Sequence, residues 1–167
     1  MKKRYSHACE MGVAIAYDCR RNSDVFSKAA ACVLASGGMK VYLFSSLRPT
    51  PELSFAVRHL KSVGGIMVTA SHNPPKYNGY KVYDEKGCQL IPELADIVIS
   101  KIDAIENIFE IPTRSFVELQ NEGMIELIGE EIDQEYLKHV LTVQVQKVRT
   151  EDLSIVFTPL HGTASVK

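Results

Sequence analysis

Residues 64–90 read GGIMVTASHNPPKYNGYKVYDEKGCQL, and this stretch decides the fold. The apolar run at 66–68 follows two glycines, which is typical of a short strand buried on both faces of a sheet. Two prolines at 74–75 prevent that strand from continuing. The Asn-Gly pair at 78–79 then predicts a turn into a second extended run at 80–83. The stretch therefore predicts a buried strand, a polar loop at its carboxyl end and a returning strand.

The segments before this stretch predict an α/β fold. Apolar runs at 12–17 and 40–46 indicate two more strands, and apolar residues at helical spacing follow each of them. Alternating strands and helices with short connections predict a mainly parallel mixed sheet with helices on both faces. In that sheet we expect 12–17, 40–46 and 65–70 to be neighbouring parallel strands, with 80–83 added to them.

The segments after this stretch predict two helices and one further strand. The first helix begins at Pro92, and its apolar residues recur at three- and four-residue spacing as far as Ile108. An acidic, polar connector at 112–123 separates it from a helix over 130–141. Residues 154–157 are apolar and predict a strand.

The composition excludes several classes of protein. The 167 residues are 46% apolar, which fits one domain with a hydrophobic core. A net charge of −1 without a basic stripe argues against nucleic acid as a partner. There is no apolar run of membrane length and no secretion signal, so we expect a cytoplasmic protein without a membrane partner. The cysteines lack CxxC spacing, which indicates reduced thiols at Cys9, Cys19, Cys32 and Cys88.

Ser71 is the candidate nucleophile, because it follows the carboxyl end of the buried strand. Open α/β sheets bind ligands outside the carboxyl ends of their strands. His72 is its neighbour, and the returning strand would bring Lys81 back toward the serine. The alternative interpretation is an ordinary polar turn. A serine hydrolase is disfavoured, since the chain has no Gly-x-Ser-x-Gly elbow.

The segment TASHNPPKYNGYKV at 69–82 resembles the phosphoserine loop of the α-D-phosphohexomutases, the phosphoglucomutase/phosphomannomutase family. LRPTPE at 47–52 and FTPLHGTA at 157–164 agree with this resemblance, which thus spans nearly the whole chain. It implies that 1–150 is the first domain without its N-terminal segment, and that 151–167 is the first strand of a truncated second domain. The family's Asp-rich metal loop is expected in the missing part, because the chain has no Asp-x-Asp-x-Asp motif.

The resemblance also implies roles for the site residues. Ser71 would carry a phosphoryl group, and Lys81 would supply positive charge or take part in proton transfer. His72 would contact the phosphate, help proton transfer or only brace the loop. The family has an Asp-x-Arg at Asp18 and Arg20, which either lie near the site or form an ion pair that supports the loop.

The resemblance further implies a substrate and cofactors. The whole enzyme would interconvert hexose 1-phosphate and hexose 6-phosphate, with phosphoglucomutase as the first candidate and phosphomannomutase as the second. Mg²⁺ would bind the phosphate on Ser71, with its main ligands in the missing second domain, and a hexose 1,6-bisphosphate would act as activator. The partners would be a hexose phosphate and the missing domains. Alone, the chain is expected to be inactive and to self-associate through exposed apolar surface; the alternative is a noncatalytic folded fragment or interaction module.

Overall fold

The computed structural model describes residues 7–146 and 151–164, and its centre is a five-stranded sheet. The strands are Val13–Tyr17 (β1), Val41–Phe44 (β2), Gly64–Val68 (β3), Tyr80–Tyr83 (β4) and Ile125–Ile128 (β5). Their order across the sheet is β4-β3-β1-β2-β5. All neighbouring pairs are parallel except β3 and β4, which pair antiparallel. The expected mixed, mainly parallel sheet and its returning strand are confirmed.

Helices cover both faces of this sheet, as the alternation of strands and helices predicts. The helices are Ala8–Met11 (α1), Ser23–Ser36 (α2), Thr50–His59 (α3), Pro92–Asp103 (α4), Phe116–Asn121 (α5) and Glu130–Thr142 (α6). Helices α1, α2 and α5 contribute to the apolar core on one face, while α3 and α6 contribute to the core on the other. None of the helices in the described residues is both long enough and apolar enough to cross a membrane.

The central strand β1 is buried on both sides because its residues alternate between the two cores. Val13 and Ile15 pack in the core that contains α2, whereas Ala14 and Ala16 pack in the core that contains α3. Helix α3 also approaches β3 closely: a Cβ atom added at Gly65 would lie 2.6 Å from Val57 Cγ2. The glycine in this strand therefore makes room for the helix.

A buried ion pair fixes the loop between β2 and α3. Arg48 is 4% exposed, and its Nε and Nη2 atoms donate to the two carboxylate oxygens of Asp133 in α6 over 2.6 and 2.9 Å. Such a two-point contact uses the planar fork of the guanidinium. The loop that leads into α3 is thereby held to the helix next to it.

Four elements of the described chain were not expected from the sequence: the short helix α1, a 3₁₀ turn at Ile108–Glu110, α5 and β5. The connector at 112–123 contains α5, which buries Leu119, and β5 follows it and pairs parallel with β2. Strand β5 has only four residues and buries only its first and last, Ile125 and Ile128. Four residues are too few for the periodicity of apolar residues to distinguish a strand from a loop.

Two other expectations differ from the structure. Residues 154–157, predicted as a strand, form no strand in the described part of the chain. Val156 there is 98% exposed, and none of the five strands of the sheet pairs with this segment. Without a neighbouring strand, its backbone lacks the hydrogen-bond partners that a strand needs. Helix α4 begins at Pro92 as predicted but ends at Asp103, and Ile108 lies in a separate 3₁₀ turn, Ile108–Glu110. None of the residues of α4 is buried, so its apolar stripe lies outside both cores.

Candidate functional site

Ser71 lies just past the carboxyl end of β3, where the backbone turns sharply. Thr69 and Ala70 are buried, whereas Ser71 is exposed. Ser71 has a φ of 55°, in the left-handed region that residues other than glycine rarely adopt. Such a conformation costs free energy and persists only where the surroundings hold it. Two sets of side-chain contacts hold the backbone of Ser71 in this conformation.

The first set of contacts runs through Thr69 and Asp18. Thr69 Oγ1 accepts a hydrogen bond from the Ser71 backbone N–H over 2.9 Å and donates to Asp18 Oδ2 over 2.6 Å. The other oxygen of Asp18 accepts from the Arg20 backbone N–H over 3.0 Å and from Ser23 Oγ over 2.9 Å. One carboxylate thus joins the end of β1, the start of α2 and the serine loop.

The second set of contacts comes from the side chain of Arg20. Its two terminal nitrogens donate to four carbonyl oxygens of the loop, those of Ser71, Asn73, Pro74 and Tyr77, over 2.8, 2.5, 3.0 and 2.9 Å. Its Nε atom lies 3.4 Å from Asp18 Oδ2. Sequence reasoning left two interpretations of Asp18 and Arg20 open. The structure shows both at once, since the pair is an ion pair that supports the loop and both residues line the cleft beside Ser71.

The loop closes where β4 begins. The Thr69 N–H donates to the carbonyl oxygen of Gly79 over 3.0 Å, and a Cβ atom added at Gly79 would lie 2.6 Å from the Thr69 oxygen. Asn78 Nδ2 donates to Ser23 Oγ over 2.9 Å. Glycine is required at 79 because the two backbones approach each other so closely.

A cleft of about 1010 Å³ opens beside Ser71. Three cationic side chains line it, those of Arg20, Arg21 and Lys76, whereas Asp18 is the one carboxylate among its described lining residues. Residues 160–163 close another side of the cleft, and Cys19 Sγ contacts the carbonyl oxygen of His161 over 2.6 Å. An excess of positive charge in a concave site favours anionic ligands such as phosphate esters.

The three predicted site residues do not all meet in this cleft. Ser71 and His72 both line it, and Ser71 Oγ lies 3.4 Å from His72 Nδ1. Lys81 is in β4 opposite Met67 and is not among the described residues that line the cleft. Met67 lines the cleft, so Lys81 is the cross-strand neighbour of a residue in the wall of the cleft.

Two of the lining cations were missed by sequence reasoning. Arg21 follows the Asp-x-Arg motif directly, and Lys76 lies inside the serine loop. Both residues lie next to or inside motifs that the sequence analysis had singled out, and this closeness could have marked them as candidates. It does not say toward which side of a loop a long side chain extends, because that depends on the folded backbone.

The described residues do not form a magnesium site by themselves. Among them, no group of three or more His, Cys, Asp or Glu side chains could hold a metal ion. The lining carboxylate, Asp18, already accepts from Thr69, Ser23 and the Arg20 backbone. Mg²⁺ takes several oxygen ligands in near-octahedral geometry, which this arrangement does not offer.

The comparison with protein families matches the chain to the first domain of one family. The model described as "Phosphoglucomutase/phosphomannomutase, alpha/beta/alpha domain I" matches residues 3–109. The chain belongs to the phosphoglucomutase/phosphomannomutase family. The match contains the whole serine loop and the Asp18–Arg20 segment.

Two curated phosphoglucomutases show how much of a family member the chain represents. The protein from Staphylococcus saprophyticus subsp. saprophyticus is 40% identical over 155 residues, which cover 93% of this chain and 28% of that protein. One from Staphylococcus epidermidis is 41% identical over 152 residues, which cover 91% and 28%. The chain therefore spans just over a quarter of the length of the curated relatives it matches.

Solved structures of the family have the same fold. A protein from Thermus thermophilus, provisionally assigned as a phosphomannomutase, has a TM-score of 0.60 and 34% identity over 82% of this chain and 29% of that protein. The open form of parafusin, a phosphoglucomutase from Paramecium, has a TM-score of 0.62 at 19% identity, covering 84% of this chain and 29% of that protein. The second likeness supports the fold alone.

Proposed function

We propose that this chain is the phosphoserine-bearing part of a phosphohexomutase that interconverts hexose 1-phosphate and hexose 6-phosphate. The observation that carries the proposal is the placement of Ser71, exposed at the carboxyl end of β3 beside a basic cleft, in a chain of this family. Phosphoglucomutase is the first candidate and phosphomannomutase the second, since the curated relatives are phosphoglucomutases.

The proposed chemistry begins with a phosphoryl group on Ser71 Oγ. A free hydroxyl of the bound hexose monophosphate attacks the phosphorus, the bond between phosphorus and Ser71 Oγ breaks, and the hydroxyl loses its proton. The product is a hexose bisphosphate and a free serine. After the sugar reorients, Ser71 attacks the other phosphate and takes it back, which leaves the isomeric monophosphate. Because the number of phosphoryl groups on the protein is restored, a hexose bisphosphate can start the cycle as an activator.

The cations of the cleft support this proposal electrostatically. A phosphoserine carries a charge of roughly −1.5 to −2 near neutral pH, and phosphoryl transfer depends mainly on positioning and charge neutralisation. Arg21 and Lys76 line the same cleft as Ser71 and would supply positive charge there. Lys81 would add charge from the neighbouring strand position.

His72 is the proposed partner for the proton. Its Nδ1 atom lies 3.4 Å from Ser71 Oγ, and an imidazole ring can both accept and donate a proton. In the first step it would take the proton of the attacking hydroxyl and pass it to Ser71 Oγ as that atom leaves. In the return step it would take the proton of Ser71 Oγ and pass it to the sugar oxygen that leaves. Positioned general acids and bases contribute on the order of 10²–10⁴-fold in rate.

In the proposed domain division, this chain contributes only part of an active site that other domains complete. Residues 1–150 would be the first domain and 151–167 the start of the second. Magnesium would need carboxylates from outside the described residues, and the distal phosphate of the sugar would need a separate binding loop. The isolated chain should therefore fold without catalysing turnover, because misplacement of a reacting group by about 1 Å can cost on the order of 10²-fold.

A chimaera tests the proposal. The chain would replace the matching segment of the Staphylococcus saprophyticus phosphoglucomutase, and conversion of glucose 1-phosphate to glucose 6-phosphate would be measured with Mg²⁺ and glucose 1,6-bisphosphate. We expect turnover in the chimaera, none in its Ser71→Ala variant, and none in the isolated chain. A chimaera whose activity survives Ser71→Ala would contradict the role of Ser71, and turnover by the isolated chain would contradict its dependence on other domains.

The second candidate is a noncatalytic folded fragment that associates with other copies of itself. Helix α4 favours it, since none of its residues is buried and Ile97 and Ile102 are more than half exposed. Exposed apolar patches of this kind promote association. Sedimentation at several concentrations would show a monomer–dimer equilibrium that Ile97→Lys with Ile102→Lys abolishes. A monomer at every concentration would remove this candidate.

A further inference from the structure

The guanidinium of Arg20 is surrounded by oxygen atoms of the protein itself. An arginine side chain carries five such donors in a fixed fork and no acceptor. Its terminal nitrogens serve the carbonyl oxygens of four loop residues, Ser71, Asn73, Pro74 and Tyr77, and Nε faces the carboxylate of Asp18. A phosphate in the cleft would therefore have to compete with the loop for this side chain.

The composition of the loop explains why it needs such a partner. Pro74 and Pro75 have no N–H group, so the loop has few donors of its own for its carbonyl oxygens. The guanidinium supplies donors to residues on both limbs of the loop. A lysine ammonium carries the same charge but is a compact point donor without the planar fork, so it would not span the same carbonyls.

The carbonyl oxygen and the N–H group of Ser71 are held by two side chains that both contact Asp18. The carbonyl oxygen accepts from Arg20 Nη2 over 2.8 Å, and the N–H donates to Thr69 Oγ1 over 2.9 Å. Asp18 contacts both of these supports, through the ion pair with Arg20 and the 2.6 Å hydrogen bond from Thr69. The Arg20 and Asp18 side chains are only 12% and 13% exposed. The left-handed backbone at Ser71 is thus fixed on both sides.

We infer that Arg20 and Thr69 are positioning residues that fix the backbone of Ser71, and that Arg20 does not bind the phosphate of the substrate although it lines the cleft. The inference depends on the proposed function only in that Ser71 is taken to carry the phosphoryl group. The geometry itself predicts how the loop behaves in the isolated chain, with or without any mutase activity.

Hydrogen exchange measured by mass spectrometry on the chain tests the positioning. The variants are Arg20→Lys, Thr69→Val and Thr69→Ser, with Arg58→Lys in the exposed part of α3 as the matched control. Arg20→Lys and Thr69→Val should each raise exchange of the amides at 71–79 by about 10-fold, the effect of losing one net hydrogen bond or more. Exchange in β1 and β3 should stay at the wild-type rate. Thr69→Ser keeps the hydroxyl and should restore the protection.

Three results would overturn the positioning role. They are unchanged loop exchange in both Arg20→Lys and Thr69→Val, equal acceleration throughout β1 and β3, and a Thr69→Ser variant as fast as Thr69→Val. If Arg20→Lys does not fold, the Thr69 pair decides alone. None of these results depends on turnover, so a failed mutase assay and a failed positioning role are distinguishable.

A titration of the same variants with glucose 1,6-bisphosphate tests whether Arg20 binds phosphate. Thr69→Val loosens the loop without changing Arg20, so it measures how much a loose loop alone raises the dissociation constant. If Arg20 is only a positioning residue, Arg20→Lys should raise the dissociation constant by no more than that. We expect the two variants to weaken binding equally. Weaker binding in Arg20→Lys with intact loop protection would overturn the inference and make Arg20 a phosphate ligand.

Discussion

Arg20 Nη2 lies 2.8 Å from the carbonyl oxygen of Ser71, although the two residues are 51 positions apart in the chain. Arg20 follows β1 and Ser71 follows β3, and these strands are parallel neighbours. Their carboxyl ends therefore meet at one edge of the sheet, where α/β folds bind ligands. The candidate site is built by this meeting of strand ends rather than by the serine loop alone.

Gly79→Ala should loosen the serine loop. The added Cβ atom would lie 2.6 Å from the Thr69 carbonyl oxygen, and this neighbour is backbone that cannot rotate away. We expect a loss of about 1–3 kcal/mol in the free energy of unfolding, measured by urea denaturation, as for other overpacked positions. Gly37→Ala, where the nearest atom would be 3.3 Å away, should lose less. Equal losses at the two glycines would contradict the close approach.

Arg48→Met should strongly destabilise the fold. It removes the guanidinium that contacts both carboxylate oxygens of the buried Asp133, and breaking a buried ion pair costs about 3–5 kcal/mol. Chemical denaturation measures the loss. The double variant Arg48→Met with Asp133→Leu should recover part of it, because the buried charge of Asp133 is removed together with its partner. The recovery should be incomplete, because Glu52 is also buried and its carboxylate lies 3.7 Å from Arg48 Nε.

The control for this prediction is an exposed pair. Lys138→Ala breaks the contact of Lys138 with Glu135 on the surface of α6 and should leave stability unchanged. If Arg48→Met were as mild as Lys138→Ala, the buried pair would not be holding the β2–α3 loop.

The cysteines should react with thiol reagents at different rates. Cys19 and Cys88 are exposed, whereas Cys32 is buried, and burial raises the pKa of its thiol. Because the thiolate is the reactive form, we expect Cys32 to label last near neutral pH. Cys19 lines the cleft, so glucose 1,6-bisphosphate should slow its labelling and leave Cys88 unaffected. Mass spectrometry of labelled peptides measures both effects; equal protection of Cys88 would point to binding elsewhere.

Lys81→Met should lower turnover of the chimaera about 10- to 100-fold if Lys81 adds charge to the site, less than the roughly 10²–10³-fold loss for a donor that contacts the developing charge directly. The structure places Lys81 opposite Met67, beside the cleft rather than in it. Lys86→Met, an exposed lysine in the turn after β4, is the matched control. If the two variants have the same kcat/KM, the contribution of Lys81 is excluded.

The sequence was sufficient to predict the strands around the serine loop and the loop itself. Buried parallel strands are continuous apolar runs, and prolines with an Asn-Gly pair mark a turn, so β3 and β4 are visible without the fold. The short strand β5 was missed because four residues are too few for periodicity to separate it from a loop.

Other features depended on tertiary structure. Arg20 reaches the loop only because β1 and β3 are neighbours, and the sequence does not fix that distance. The apolar stripe of α4 predicted an amphipathic helix correctly, but periodicity does not say what covers the stripe. Residues 154–157 have strand composition without a strand partner in the described chain.

The location of the phosphoryl group tests the central claim most directly. The chimaera would be incubated with glucose 1,6-bisphosphate carrying ³²P, digested, and its labelled peptide sequenced, with the Ser71→Ala chimaera beside it. We predict label on the peptide that contains Ser71, confined to that residue and absent from the variant. Label on another hydroxyl alone, or label that persists in Ser71→Ala, would contradict the claim that Ser71 carries the phosphate.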